Sequence, residues 1–367
     1  MLSPAPEISS NRTSAESGHA LLAVVTRGDA IDSVHYGSIA VVDYRGNALC
    51  TVGNPRFLTM TRSTLKPFQA IPFVAAGGIE RFGYSRAQTA LLCASHSGEP
   101  RHVAAVADML ARSGSAGAEL QCGTHVPGFY EELGEVPPPP PYSPLAHNCS
   151  GKHSGMLAYC VQHDFPKRNY LAFDHPLQQS IREAVAEVTA TKLEELVTGI
   201  DGCSAPNYAV PLERLALAYA RLATTGDDSD LGRALNVLAD AMTAHPEMVS
   251  GERRSDLSLM RAGRGDWVAK IGAEGVQGIG VRGAGIGIAI KVADGNKRVL
   301  MPVIASVLDQ LGLIDRERKA ELAPWFAPVV RNYRGIATGR IESTVVMDKV
   351  KSAAEDARFA SNNHVRI

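Results

Sequence analysis

A serine and a lysine three residues apart are the first pair in this sequence whose types and spacing could do chemistry. Ser63 and Lys66 form the pattern Ser-x-x-Lys. A serine hydroxyl is a weak nucleophile until a base removes its proton, and residues three apart lie on one face of a helix. The amine of Lys66 could therefore reach the hydroxyl of Ser63. The alternative is a helix-capping serine beside a solvated lysine, because so short a pattern often arises by chance.

A second serine and a second lysine occur farther along the chain. Ser95 lies among small polar residues in the segment 93–99, directly after an apolar run. It could complete a site with Ser63, although capping of the next helix is the interpretation that this segment alone favours. Lys270 begins a Lys-Ile-Gly triplet on a predicted strand, far in sequence from both serines.

Two cysteines stand in segments rich in glycine and polar residues. Cys149 lies within 147–156, and Cys203 lies within 198–206. Two thiolates from separate loops could bind Zn²⁺, which readily accepts sulfur ligands. The spacing is not Cys-x-x-Cys, however, and it identifies no third or fourth ligand. From spacing alone, buried free thiols are the favoured interpretation.

The elements that would position these residues are strands near both ends of the chain and helices between them. A β-hairpin is predicted over 33–52, because two apolar runs flank turn residues at 43–47. Apolar and β-branched runs predict late strands at 267–272, 276–281 and 285–292. Helical spacing and capping residues predict helices at 85–93, 99–113, 174–190, 211–224, 231–245 and 298–311.

These elements predict an α+β fold. Two early and three late strands could form one five-stranded antiparallel sheet, with flanking helices and a helical subdomain beside it. We predict a loose N-terminal arm at 1–19, a sheet-containing subdomain made of 20–60 with 266–367, and a mainly helical subdomain at 61–265. The order of strands, Ser-x-x-Lys helix, helical insert and Lys-x-Gly strand resembles the serine β-lactamases and penicillin-recognising enzymes. That resemblance implies their fold and an active site at the seam between the two parts.

Composition narrows the class of protein. The 367 residues carry a formal net charge of -1, with 45% hydrophobic and 20% charged residues, which is ordinary for a soluble globular protein. A nucleic-acid partner would require a basic excess, and every long uncharged stretch is broken by Gly or Pro, so no membrane span is expected. The N-terminus lacks the pattern of a secretory signal, so a cytoplasmic location is expected.

Taken together, five segments resemble the thermolabile, Rhizobium-type L-asparaginases, or asparaginase II. The resemblance extends from about residue 27 to about residue 339, and the segments that carry it are 61–67, 93–97, 148–153, 201–203 and 245–249. This family is distinct from the bacterial threonine-nucleophile and the plant-type asparaginases, and is related in fold to serine β-lactamases and glutaminases. One departure is Ser255-Asp256, which stands where some relatives have a cysteine.

The resemblance implies two Ser–Lys pairs. Ser63 and Lys66 match the family's nucleophile and its base. Ser95 and Lys270 match a second pair that orients or activates the first.

The resemblance also implies a zinc ion and substrate-binding residues. The ion would be bound by Cys149, Lys152, Cys203 and a water molecule. A lysine must lose its proton to bind a metal, and a nearby cation would lower its pKa.

Four residues of the same motifs are expected at the substrate. Asp201 matches a family acid beside the site, and Arg62 could pair bidentately with the substrate carboxylate. His153 and Gly202 are further substrate-binding candidates.

The implied activity is hydrolysis of the side-chain amide of L-asparagine to L-aspartate and ammonia, without an organic cofactor. The nearest alternative is a glutaminase or another serine–lysine amidase, and a penicillin-recognising peptidase fits the cysteine motifs less well. A non-catalytic zinc or thiol sensor is an alternative of a different class, but it leaves the serines and lysines unexplained. The family also implies a homodimer.

Overall fold

The computed structural model describes residues 18–224 and 228–349. In chain order, the strands are β1 (Ala20–Arg27), β2 (Ala30–Asp43), β3 (Ala48–Val52), β4 (Leu58–Met60), β5 (Val197–Ile200), β6 (Pro206–Pro211), β7 (Trp267–Gly272), β8 (Val276–Val281), β9 (Ile286–Val292), β10 (Val329–Arg331), β11 (Ala337–Ser343) and β12 (Asp348–Lys349). The α-helices are α1 (Lys66–Gln69), α2 (Ile71–Ala75), α3 (Gly78–Phe82), α4 (Arg86–Leu92), α5 (Pro100–Arg112), α6 (Gly128–Leu133), α7 (Ser150–Gln162), α8 (Pro176–Thr189), α9 (Leu212–Ala223), α10 (Asp230–Ala244), α11 (Pro246–Val249), α12 (Ser255–Gly263), α13 (Leu300–Gln310) and α14 (Arg316–Phe326).

The main sheet is antiparallel and larger than the sequence predicted. Seven strands follow the order β10-β11-β1-β2-β9-β8-β7, while β3 pairs with β2 and β12 pairs with β3. The α+β class is confirmed, but the prediction of five strands is wrong. The prediction missed β1 and the late strands β10, β11 and β12. Because most residues of β10 and β11 are at least partly exposed, their sequences carry little of the hydrophobic pattern that marks a strand.

The hairpin and the late strands agree with their predicted positions. In the pairing of β2 with β3, Ile39 lies opposite Val52, and the turn falls at 43–47. The strands β7 and β8 match their predicted ranges, and β9 is one residue shorter. The likeness to the penicillin-recognising enzymes stays a prediction.

The predicted helices are confirmed to within a few residues, but α2, α3, α6, α7, α11, α12 and α14 were not anticipated. The helix α7 is the most informative of these, because its residues from Ser150 to Cys160 are all buried. A helix buried on every side has no polar face and therefore no amphipathic period to read. Small residues such as Gly151 and Gly155 let it pass close to Leu91 and Leu92 of α4.

The helix α9 packs against the main sheet over glycines. A Cβ atom on Gly287 would lie 1.9 Å from the carbonyl oxygen of Ala216, and one on Gly278 would lie 2.1 Å from the ring of Tyr219. The hydroxyl of Tyr219 then donates a 2.8 Å hydrogen bond to the carbonyl oxygen of Thr64. This close packing fixes the position of the segment around Ser63 relative to the sheet.

A second, three-stranded sheet has the order β4-β6-β5. Its strand β4 is followed directly by a 3-10 helix, Arg62–Leu65, which α1 continues. The Ser-x-x-Lys motif therefore begins a helical segment, as predicted.

The strands of the main sheet come from positions 20–52 and 267–349. The proposed division into two subdomains stays a prediction. Of the predicted N-terminal arm at 1–19, positions 1–17 lie outside the described residues. Among the residues that the structure describes, no helix is both long enough and apolar enough to cross a membrane.

Replacing Gly287 with alanine tests the close packing of α9. Because the new methyl group would meet a backbone oxygen at 1.9 Å, we expect the free energy of unfolding to fall by roughly 3 kcal/mol. Gly117→Ala is the matched control, since its methyl group would lie 3.4 Å from the nearest atom of Leu145. Denaturant unfolding of both variants measures the difference, and an equal stability of the two would contradict the packing described here.

Candidate active site

The backbone just before Ser63 is strained. Arg62 has φ +49°, in the left-handed region that residues with side chains seldom adopt. The side chain of Asn207 holds it there, since its Oδ1 accepts from the Arg62 N–H at 3.0 Å and its Nδ2 donates to the Arg62 carbonyl at 3.0 Å. No pattern in the sequence singles out Asn207, because its partners, the Arg62 backbone and the Thr61 hydroxyl, belong to a distant segment.

The amine of Lys66 is buried and pairs with the second serine. Its Nζ donates to the hydroxyl oxygen of Ser95 at 2.8 Å and to the carbonyl oxygen of Ala94 at 2.6 Å. Within the described part of the chain, the hydroxyl of Ser63 has no hydrogen-bond partner. The structure therefore brings Lys66 to Ser95 and leaves the hydroxyl of Ser63 unbonded.

The loop that carries Ser95 is held by two other motifs of the predicted set. The Ser95 N–H donates to the carbonyl oxygen of Val249 at 2.9 Å, and the His96 N–H donates to that of Asn148 at 3.2 Å. The residue that precedes α5 as its N-cap is Glu99, not Ser95. Ser95 therefore does not cap that helix, and its hydroxyl faces Lys66.

Lys270 also lies inside the protein, but it has a different partner from the one expected. Its Nζ donates to the carbonyl oxygen of Ile271 at 2.7 Å and lies 3.4 Å from Asp256 Oδ2. The described residues show no hydrogen bond between Lys270 and Ser95. Burial lowers the pKa of Lys270 to about 8, with a further lowering from the charge of Lys66, while Asp256 opposes the change.

Asp256 is a residue of this site that the sequence marked only as a departure from the family. Its carboxylate is fully buried and accepts from the Ile271 N–H at 2.9 Å and from Gln277 Nε2 at 3.2 Å. An acid among buried Leu257, Leu259 and Met260 is uncommon unless it is paired. That signal could have identified it.

Three of the four predicted substrate-binding residues lie together beside Ser63. Arg62 Nε donates to Asp201 Oδ1 at 2.9 Å, and the Gly202 N–H donates to the same oxygen at 2.9 Å. The Nη1 atom of Arg62 also lies 4.0 Å from Glu274 Oε1.

The predicted metal ligands form a buried cluster. Lys152 Nζ lies 3.2 Å from Cys203 Sγ, and Cys149 is within hydrogen-bonding reach of the same sulfur. The hydrogen bond from Cys149 and the charge of Lys152 hold the pKa of Cys203 below its usual value, although burial opposes them. Burial lowers the pKa of Lys152, but Cys203, Cys149 and Asp201 together outweigh it, so the net shift of the pKa is upward. One thiolate and one ammonium therefore face each other here.

The fourth predicted substrate-binding residue, His153, belongs to this cluster. Its Nδ1 lies 2.7 Å from the Tyr170 hydroxyl, while its buried Nε2 has no hydrogen-bond partner among the described residues. Burial lowers the pKa of His153 to about 4, although the Cys203 thiolate opposes the shift. The ring is therefore a neutral imidazole with a free nitrogen atom beside Cys203.

The cluster offers N and S donors of the kind that zinc prefers. No group of three or more His, Cys, Asp or Glu residues is placed to hold a metal ion within 18–224 and 228–349. A site here would thus require the nitrogen of Lys152 in addition to the sulfur atoms of Cys149 and Cys203. The unpartnered nitrogen of His153 could supply a further contact.

Both serines line one cavity of about 290 Å³. A cavity of this size suits a small polar molecule. Its other lining residues are Asn148, Arg254, Ile271, Gly272, Ala273, Glu274, Gly295 and Lys297. The lining therefore carries two cations and one carboxylate, of which the sequence had singled out none.

Comparison with known proteins gives one result. A family model described as L-asparaginase II matches residues 23–343, which is most of the chain. A comparison with curated proteins gives no match. On the strength of this family match, the chain belongs to the L-asparaginase II family and is an L-asparaginase enzyme.

Proposed function

We propose that the protein hydrolyses the side-chain amide of L-asparagine by serine–lysine catalysis, with Ser63 as the nucleophile. The observation that supports this is the meeting of Ser63 and Ser95 in one cavity, with the amine of Lys66 2.8 Å from the Ser95 hydroxyl. The hydroxyl of Ser63 has no partner in the described structure and lies after a strained residue, Arg62. Strain of this kind is often found at functional sites.

In the proposed reaction, Ser63 Oγ attacks the amide carbonyl carbon and Lys66 is the final acceptor of its proton. For the proton to pass through the Ser95 hydroxyl, the free Ser63 hydroxyl must turn to donate to Ser95, and Ser95 must donate to an unprotonated Lys66, which reverses the hydrogen bond that now joins them. The tetrahedral intermediate is stabilised by backbone N–H groups. It collapses as the Lys66 ammonium returns the proton to the leaving nitrogen, the C–N bond breaks and ammonia departs. Water then hydrolyses the aspartyl ester and restores the Ser63 hydroxyl.

The same geometry favours a second candidate nucleophile. Ser95 is the serine that is hydrogen-bonded to a lysine, so Ser95 could attack with Lys66 as its immediate base. Ser63 would then only position the substrate. A trapped acyl-enzyme distinguishes the two.

Substrate binding is proposed to involve Arg62, Asp201, Gly202 and His153. The Nε atom of Arg62 is held by Asp201, and Gly202 supports the same carboxylate. This orients the outer nitrogen atoms of the guanidinium for a carboxylate. His153, which lies in the cysteine cluster, is proposed to contact the substrate from there.

We further propose that Cys149, Lys152 and Cys203 bind Zn²⁺. The support is the convergence of two buried sulfur atoms and one amine, with Lys152 3.2 Å from Cys203. When bound, the ion would help to orient the substrate. Lys152 must release a proton to bind it, and the positive charge of the ion would favour that release. The homodimer and the cytoplasmic location also stay predictions.

Ammonia release tests the proposed activity directly. We expect fast release from L-asparagine and about 100-fold slower release from L-glutamine, because one added methylene displaces the carbonyl from a fixed nucleophile. Ser63→Ala should abolish turnover and leave the free energy of unfolding within about 1 kcal/mol of the wild type. Equal rates on both amides would reject the specificity, and hydrolysis of benzylpenicillin alone would reject the amidase.

The position of the acyl group can be read from tryptic peptides of acid-quenched enzyme. Trypsin should separate the two serines into the fragments 63–81 and 87–101, because the bond between Lys66 and Pro67 resists cleavage. An aspartyl adduct on the first fragment supports Ser63. An adduct on the second would assign the nucleophile to Ser95.

Metal analysis tests the zinc site. We expect one zinc ion per chain in protein that has never been exposed to a chelator. Cys149→Ser and Cys203→Ser should lose the zinc ion, because a hydroxyl is a poor substitute for a thiolate as a zinc ligand. Cys160→Ser is the matched control. Cys160 is also a buried free cysteine, and among the described residues Lys167 is the one charged group that acts on its pKa. Zinc retained in both cluster variants, or absent from the wild type, would reject the site.

The pH dependence tests Lys270. Its pKa is about 8, so it is mostly charged at pH 7 and mostly neutral at pH 9. If neutral Lys270 assists proton removal, kcat/KM should rise with pH through an inflection near 8. Asp256 raises that pKa, so Asp256→Asn should move the inflection to lower pH. Lys270→Met, which keeps much of the packing of the stem, should lose most of kcat and the inflection. An unchanged profile in both variants would remove Lys270 from the mechanism.

A further inference from the structure

The turn between β7 and β8 holds a carboxylate at the mouth of the cavity. Glu274 has φ +60°, a left-handed backbone conformation that is costly for a residue with a side chain. The turn is fixed in place, because Lys291 Nζ donates to the carbonyl oxygen of Glu274. The protein therefore maintains an unfavourable conformation at a residue that lines the cavity of Ser63 and Ser95.

The surroundings leave room for the Glu274 side chain. A Cβ atom on Gly295 would lie 2.6 Å from Glu274 Oε2, and Gly295 has φ +76°, which glycine adopts without strain. Among the described residues that line the cavity, Glu274 is the sole acid, and Arg254 and Lys297 are the cations. The carboxylate thus supplies the negative part of an otherwise positive lining.

The ion pair between Glu274 and Arg62 does not explain why Glu274 is held in a strained conformation at the cavity. The two charged groups are 4.0 Å apart, and the Glu274 side chain is 68% exposed. An exposed pair at that distance contributes little to stability. The carboxylate is thus open to a ligand. The Arg62 side chain is 25% exposed, and it lines, together with Glu274, an adjoining cavity of about 500 Å³. Glu274 therefore stands between that cavity and the cavity of the serines.

We propose that Glu274 binds the α-ammonium group of the substrate and selects amino-acid amides over amides that lack this group. This rests on the proposed function. An amino acid carries a carboxylate and an ammonium on one carbon atom, and the neighbouring side chains of Arg62 and Glu274 present the complementary charges. The zwitterion replaces the long contact between them with two charge-assisted hydrogen bonds. Glu274 is therefore a specificity-determining residue.

The test compares L-asparagine with succinamate, which is the same molecule without the amino group. The wild type should prefer L-asparagine, measured as the ratio of the two kcat/KM values. Glu274→Gln should lower this ratio on the order of 10- to 100-fold, as expected for loss of a hydrogen bond to a charged group. Its kcat/KM for succinamate should change little. An unchanged ratio, or an equal loss on both substrates, would overturn the proposal.

Glu131→Gln is the matched control. Glu131 lines the adjoining cavity, which shares Arg254, Ile271 and Lys297 with the cavity of the serines. This variant removes the same charge from the neighbourhood, and its ratio should equal that of the wild type. A ratio lowered as strongly as in Glu274→Gln would mean that general electrostatics, and not contact with Glu274, sets the preference.

Equilibrium binding separates this proposal from the proposed reaction. Calorimetry on Ser63→Ala, with and without Glu274→Gln, compares the affinities for L-asparagine and succinamate. A preference for L-asparagine that disappears with Glu274→Gln supports ammonium binding. It does so even if the wild type hydrolyses neither amide, because the absence of hydrolysis would reject only the serine mechanism. A preference that survives Glu274→Gln overturns the role of Glu274 whatever the catalytic outcome.

Discussion

The buried amine of Lys66 is the group on which the arrangement of the site depends. An amine removed from water must find hydrogen-bond acceptors, since leaving it unpaired would cost several kcal/mol. Lys66 finds them at Ala94 and Ser95, on a loop distant in sequence. That loop is bonded to Val249, and the backbone at Thr64 is bonded to Tyr219 of α9, which packs on the sheet. The sheet, the loop and the helical segment that carries Ser63 must therefore all be in place for this one amine to reach its acceptors.

Two other buried lysines follow the same physical rule with different acceptors. Lys152 faces the thiolate of Cys203, and Lys270 faces the carboxylate of Asp256. The consequences differ. Burial lowers the pKa of Lys270 to about 8, whereas Cys203, Cys149 and Asp201 together outweigh burial and raise the pKa of Lys152. One lysine is therefore suited to exchange protons near neutral pH, and the other holds a thiolate in place.

Backbone strain occurs on both sides of the cavity. Arg62, before the proposed nucleophile, and Glu274, at the opposite turn, both have positive φ values. Each is held by a side chain from elsewhere, Asn207 in one case and Lys291 in the other. The two strained residues also approach each other at 4.0 Å. The surrounding structure thus presents a positive and a negative group side by side, which suits a zwitterionic ligand.

Sequence by itself determined many of the local elements, and the family resemblance that it carries named most residues of the candidate site. The hairpin of β2 and β3, the strands β7 to β9 and the helices α4, α5, α8, α9, α10 and α13 follow from periodicity and turn residues, which are properties of neighbouring positions. The residues that converge on the two clusters were also named in advance, apart from Asn207, Asp256 and the charged lining of the cavity. Weakly patterned elements escaped notice, such as the fully buried α7 and the exposed β10 and β11.

Only the tertiary structure decided which groups are partners. The sequence suggested Lys66 with Ser63 and Lys270 with Ser95, whereas the observed contacts join Lys66 to Ser95 and Lys270 to Asp256. A lysine stem is long and flexible, so spacing along the chain does not fix where its amine ends. Packing of distant segments fixes it, because the amine goes to whichever acceptor the folded protein places within reach when water is excluded.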